Sequence, residues 1–195
     1  MSMGREIMLV RHPETVANAA RRLCGTTASA LTARGERQAA ALGVAIARWT
    51  PEVLYTSPSD RTRAVAALAD PHGERTVVVD DAREIDFGRA EGLTYDELDT
   101  HGIALDFTGG GPVAPGGEEG AAFDARVGRT ASVLLSGAPR VALITHGGVL
   151  RLLLSHLVGF PAELAWRIDL PNAAIAVVRF TDGYGMLSEL RRPPE

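Results

Sequence analysis

The chain contains no lysine; all 20 of its basic residues are arginine. That absence removes Schiff-base chemistry on a lysine amine. It also removes the Walker-type phosphate loop, which needs its own lysine. Any phosphate bound here would be held by arginine forks and backbone amides. There is a single cysteine, Cys24, so an internal disulfide and a zinc site built on several cysteines are both excluded. A packing cysteine is the plainer reading of Cys24, and a catalytic thiol the alternative. An excess of positive charge is missing as well. The formal charge is -4, so nucleic acid is not an expected partner. The most apolar window, residues 141–160, is interrupted by His146, Arg151 and His156, so no membrane span is expected. Met1 to Val10 is too short and polar to read as a signal peptide. A cytoplasmic enzyme or binding protein is the default expectation.

With 195 residues, 46% hydrophobic and 23% charged, the chain suits one globular domain over 1–195. Short apolar runs predict strands at Glu6–Val10, Val53–Thr56, Val77–Val79, Val141–Ile144 and Ala174–Phe180, with an edge strand at Met186–Leu190. Helical spacing predicts a helix capped by Thr32 and running to Trp49, with Ala39, Leu42, Ile46 and Trp49 in its core stripe. A second is expected to start at Ser57-Pro58, with Arg61, Val65 and Leu68 on one face. Others are expected from Thr94 to Leu98, from Glu118 to Leu135, and after His146 with Val149, Leu152, Leu153 and Leu157 inward. Strands alternating with helices predict an α/β fold, a three-layer α/β/α sandwich around a mostly parallel central sheet. Residues 102–117, rich in Gly and Pro, read as a mobile flap or a plain surface loop.

Three strand ends carry related side chains. Arg11-His12 follows the first, Arg61 the second and His146 the fourth, and His146 also precedes a helix whose first amides favour an anion. In open α/β sheets ligands bind outside the carboxyl ends of the strands. Two arginines and two histidines there describe a phosphate pocket, and Glu84 beyond the third strand could supply a carboxylic acid. No carboxylate–histidine spacing argues for a metal, and no cofactor is expected.

These residues fall in blocks. Arg11-His12-x-Glu14-Thr15, then Asn18, Arg22 and Gly25, lead into Leu31-Thr32-x-x-Gly35-x-x-Gln38-Ala39. Ser57-Pro58-x-x-Arg61, Glu84-x-x-Phe87-Gly88-x-x-Glu91-Gly92, Pro115-Gly116-Gly117-Glu118 and Thr145-His146-Gly147-Gly148 follow in order. The series resembles the histidine phosphatase superfamily, in the branch that includes phosphoglycerate mutases and α-ribazole phosphatase. The resemblance implies that His12 is a nucleophile taking the phosphoryl group, that Arg11, Arg61 and His146 hold its oxygens, and that Glu84 is a general acid and base. It further implies phosphate or substrate contacts from Asn18, Arg22, Gly25, Thr26 and the Gly147 amide.

The resemblance implies a metal-independent phosphomonoesterase acting on a small phosphorylated metabolite. Phosphoglycerate mutase-type transfer is the alternative; glycolytic mutases carry longer insertions and tails, which favours the phosphatase. A phospho-ligand-binding module with little turnover is the other reading, favoured by Pro13, which stands where the family has glycine. Proline fixes φ and removes an amide donor. Ala28 and Ala30 also depart from the family's Asp and Pro. A homodimer is possible, with Trp166, Ile168 and Leu170 as candidate edge residues, although core packing explains them more simply.

Overall fold

Residues Ile7, Met8, Leu9 and Val10 are all fully buried, and so are Val141 to Ile144. Strands apolar on both faces belong in the middle of a sheet covered from both sides. In the computed structural model, which describes residues 4–107 and 111–193, they occupy that place. The six strands are β1 (Arg5–Arg11), β2 (Val53–Thr56), β3 (Thr76–Val78), β4 (Arg140–Thr145), β5 (Ile175–Thr181) and β6 (Tyr184–Arg191). Their order is β3-β2-β4-β1-β5-β6. The first four are mutually parallel, while β5 and β6 continue the sheet in antiparallel fashion.

Seven α-helices are described: α1 (Val16–Ala19), α2 (Ala33–Trp49), α3 (Asp60–Ala69), α4 (Tyr95–Thr100), α5 (Gly120–Ser136), α6 (Gly147–Val158) and α7 (Ala162–Ala165). The alternation along β1 divides the core. Met8 and Val10 face Leu42 and Ile46 of α2 and Val65 of α3. Ile7 and Leu9 face Phe123 and Val127 of α5 and Leu150 and Leu153 of α6. The expected three-layer α/β/α sandwich is therefore observed, with a mixed sheet whose larger part is parallel. Among the described residues no helix is long and apolar enough to cross a membrane.

Local chemistry sets the element ends. Thr32 caps α2 by accepting from the Gly35 amide at 2.9 Å, and Thr50 ends it in the left-handed region at φ 53°. Thr94 and Glu97 form a reciprocal capping box at α4. The second helix departs from expectation. Ser59, not Ser57, is its N-cap, so Pro58 precedes the helix. Ser57 is drawn away by His146, whose Nε2 lies 2.8 Å from its hydroxyl. The buried stripe of α3 is Arg61, Thr62, Val65, Ala66 and Ala69, while Leu68 is 52% exposed. Trp49 is half-buried at the edge of its core, with the Arg140 guanidinium 4.4 Å above its ring.

Leu170 is wholly buried, and Trp166 and Ile168 pack against the same core, so packing accounts for all three. Of the segment 102–117, residues 108–110 lie outside the described residues. On either side of them Ile103, Pro112 and Ala114 are buried, and Asp106 and Val113 exchange two backbone hydrogen bonds of 2.8 and 2.7 Å.

Candidate active site

The first strand runs out at Arg11, and the next residue is stapled from both sides. The His12 amide donates to the Thr145 carbonyl at 2.9 Å, and the His12 carbonyl accepts from the Ala173 amide at 3.1 Å. The ring is buried, with Nδ1 2.7 Å from the Pro13 carbonyl. A carbonyl only accepts, so Nδ1 carries the hydrogen and Nε2 keeps its lone pair. Pro13 therefore supplies what this position needs, a carbonyl, and its missing amide costs the ring nothing. Burial above all, then the Arg61 and Arg11 guanidiniums, holds the His12 pKa well below the usual histidine value.

His146 is the N-cap of α6, where β4 gives way to the helix. It is fully buried, and its ring centre lies 5.2 Å from that of His12. Its pKa is also held well below the ordinary value, by burial first and then by His12, Arg61 and Arg11. Burial pulls the Arg11 guanidinium down to about 10, although Glu84 opposes the shift. Arg11 donates to the Leu170 carbonyl through Nη1. Arg61 reaches across from the first turn of α3 and donates to the carbonyls of Gly25 at 2.8 Å and Thr27 at 3.2 Å.

The Nε of Arg11, the Nε of Arg61 and Nδ1 of His146 are buried without a hydrogen-bond partner. Unpaired buried donors cost free energy, and here they gather around one histidine. That clustering marks an anion seat. A cleft of about 180 Å³ opens above it, lined by Arg11, His12, Asn18, Arg22, Glu84, Gly147 and Gly148. Arg61 lines a neighbouring hollow of about 430 Å³ with Thr26 and Pro58.

The other expected residues divide. The Asn18 oxygen accepts from Thr15 and from the Asn172 amide at 3.0 Å, which leaves its own amide group as the donor. Glu84 accepts from the Gly148 amide at 3.1 Å and the Ile85 amide at 3.2 Å. A Cβ on Gly148 would fall 2.5 Å from the Glu84 carboxylate, so glycine there admits it. Gly147 opens α6, and its amide has no acceptor among the described residues. Arg22 stands at the mouth, paired with Glu97 at 2.7 Å and with the Gly92 carbonyl at 2.6 Å. Gly25 and Thr26 are turned elsewhere: both amides donate to Glu91, at 3.0 and 3.1 Å. Among the described residues no group of three or more His, Cys, Asp or Glu is placed to hold a metal ion.

Several contributors escaped sequence reasoning. Ser57 partners His146. Asn172 bridges Asn18 and the carbonyls of His12 and Pro13. Arg126, only 2% exposed, grips Glu118 with two bonds of 2.6 Å and donates to the carbonyls of Asp81, Arg83 and Glu84. It thus fixes the loop that carries Glu84. Arg126 falls among the apolar residues of α5, beside Phe123 and Val127, and that placement was the available signal.

A buried histidine pair flanked by arginines, at the carboxyl ends of parallel strands in an α/β sandwich, defines a phosphate-handling protein. The chain belongs to the histidine phosphatase superfamily (branch 1), whose family model matches residues 7–192. It is 32% identical over 181 residues to a protein named "Probable phosphoglycerate mutase GpmB" from Erwinia tasmaniensis, covering 89% of this chain and 84% of that one. Among solved structures it is similar to the Rv3214 protein of Mycobacterium tuberculosis, with 27% identity, a TM-score of 0.82 and coverage of 97% and 98%. The α-ribazole phosphatase of Shigella flexneri shares the fold, with 24% identity, a TM-score of 0.81 and coverage of 97% and 96%.

Proposed function

We propose that the protein is a phosphomonoesterase that hydrolyses a small phosphorylated metabolite through a phosphohistidine intermediate, without a metal. The observation that carries this reading is the Nδ1 bond of His12 to the Pro13 carbonyl, beside the unpaired Nε donors of Arg11 and Arg61 and the unpaired Nδ1 of His146. It leaves a neutral Nε2 as nucleophile at working pH. Nε2 forms a bond to phosphorus as the P–O bond to the leaving group breaks, and protonated Glu84 gives its proton to the leaving oxygen. Water then attacks phosphorus, the P–N bond breaks, and Glu84 takes the water proton. Arg11, Arg61, His146 and the amides of Asn18 and Gly147 stabilise the equatorial oxygens, where most of the rate originates in phosphoryl transfer.

Turnover of p-nitrophenyl phosphate, insensitive to chelator and abolished by His12→Ala, is the expected result. Rapid quenching with labelled ester should trap an acid-labile, alkali-stable phosphoenzyme. Tight phosphate binding without turnover on a broad ester panel would instead leave a binding module. The name of the relatives gives the second reading, phosphoglycerate mutase-type transfer. The Erwinia relative is matched over 84% of its length, so length does not separate the two readings. Supplying 3-phosphoglycerate with bisphosphoglycerate does. Free phosphate outpacing 2-phosphoglycerate supports the hydrolase, and the reverse order replaces it with a mutase.

A further inference from the structure

Arg151 belongs to none of the blocks read in the sequence and has no part in the chemistry above. It projects from α6 one turn beyond Gly147 and lines the cleft beside Arg11 and Glu84. Its Nη1 donates to the Gly147 carbonyl at 3.1 Å, and its Nε is buried without a partner. The guanidinium carbon lies 5.5 Å from the centre of the Trp166 ring, which supports a planar cation on its face. Glu84 and Asp169 act on it through space, yet among the described residues no carboxylate lies within ion-pair distance of it. Burial lowers its pKa, as expected for a cation short of a counter-charge.

Its position separates it from the phosphate seat. The Arg11 guanidinium carbon and Arg151 Nη1 each stand 3.2 Å from where a Gly147 Cβ would be, so the two cations flank one glycine. Arg11 faces His12 and the seat. Arg151 lies over the Trp166 ring and lines the cleft with Tyr95 and with Glu84, the group that meets the leaving oxygen in the proposed reaction. With Nη1 engaged, the remaining edge of the guanidinium is Nε–H with Nη2–H. That edge matches a carboxylate or phosphate bidentately. Arg22, the other cation at the mouth, is already paired with Glu97.

We propose that Arg151, backed by Trp166, forms a leaving-group subsite that selects phosphomonoesters carrying a second anionic group, a carboxylate or a further phosphate. This rests on the phosphomonoesterase reading. Three esters built on one two-carbon skeleton test it: phosphoglycolate, ethylene glycol bisphosphate and ethylene glycol monophosphate. The wild-type protein should prefer the two doubly anionic esters in kcat/KM, and their ratio to each other tells carboxylate from phosphate as the better fit. Arg151→Met should reduce that preference by on the order of ten-fold or more, beyond whatever it does to the monophosphate. Arg151→Lys, which keeps charge but not the fork, should restore part of it. Equal loss on all three esters would put Arg151 in the phosphate seat and overturn the proposal, as would a wild-type protein without preference. Failure of the phosphatase reading looks different. No ester would then turn over, while calorimetric binding of phosphoglycolate over the monophosphate, lost in Arg151→Met, would keep the subsite.

Discussion

Arg11 and Arg22 line the same cleft but behave as different residues. Arg11 ends a strand whose residues Ile7 to Val10 are fully buried, is tied to a backbone carbonyl and is pulled down to about 10 by desolvation. Arg22 follows a four-residue helix, is 42% exposed and satisfies itself with Glu97. The contrast extends to their surroundings. His12, Arg61 and His146 are buried at strand ends or in a first helical turn. Tyr95 and Trp166 stand on the outer wall, in loops and short helices. The inner half is built to hold donors unpaired and rigid, and the outer half to present adaptable contacts at a screened surface. On the proposed reading, chemistry belongs to the first half and selection to the second.

Glu84 sits where the halves meet, so it gives the sharpest break. Glu84→Gln should lower kcat/KM, which reports formation of the phosphoenzyme, by roughly 10²- to 10⁴-fold for an alkyl phosphate and much less for p-nitrophenyl phosphate, whose leaving group needs no proton. Equal losses on both esters would remove Glu84 from the acid role. Arg126→Met comes next. It leaves Glu118 and three loop carbonyls without their donor, and should cost about 3–5 kcal/mol of stability by denaturant titration. Substituting Arg22 in the same assay should cost far less, and a similar loss would undo the contrast between the halves.

Acid should weaken the inner half selectively. The folded protein keeps His12 and His146 neutral, while both take up a proton in the unfolded chain as pH falls through about 6.5. The unfolded state then binds more protons, so stability falls with falling pH below that value. The slope is at most about 1.4 kcal/mol per pH unit for each ring. Thermal melts of His146→Gln should show roughly half of it, and an unchanged slope would assign the effect to other groups. Turnover should persist below pH 6.5 on the same grounds. The smallest effect is expected from Pro13→Gly. The carbonyl that holds Nδ1 survives, so kcat should barely move, while extra freedom in the unfolded chain should cost about 0.4–1 kcal/mol. A collapse of kcat would mean that the ring's rigidity, and not its carbonyl, sets the nucleophile.

The inner half was largely legible in the sequence, because each strand is a short apolar run and its functional residue comes next in the chain. Arg11, His12 and His146 needed no tertiary information to be singled out. Arg61 was placed on the right face of its helix even though Leu68 was not. Leu68 is carried outward because the buried stripe continues through Ala69, and α2 approaches closely at Gly43. Arg126, Arg151 and Asn172 were not legible. An arginine on a helix reads as a solvated face unless the partners that bury it are known, and for Arg126 several of those lie far along the chain. They are carbonyls of residues 81 to 84. The amides of Gly25 and Thr26 were misleading for a related reason, since Glu91 claims them from a loop more than sixty residues away.

The strand order has a consequence for how activity is acquired. β4 lies between β1 and β2, so the strand that ends at Arg11 and the strand that leads into the helix of Arg61 are joined only by a segment that begins more than eighty residues after β2. A chain emerging from the ribosome can form α2 and α3 early, but it cannot assemble the seat until residue 146 has left the exit tunnel and docked. Non-local pairing of this kind is slow relative to helix formation. Recovered turnover after dilution from denaturant should therefore lag behind the far-ultraviolet helix signal, which makes catalysis a stopwatch for the last step of folding.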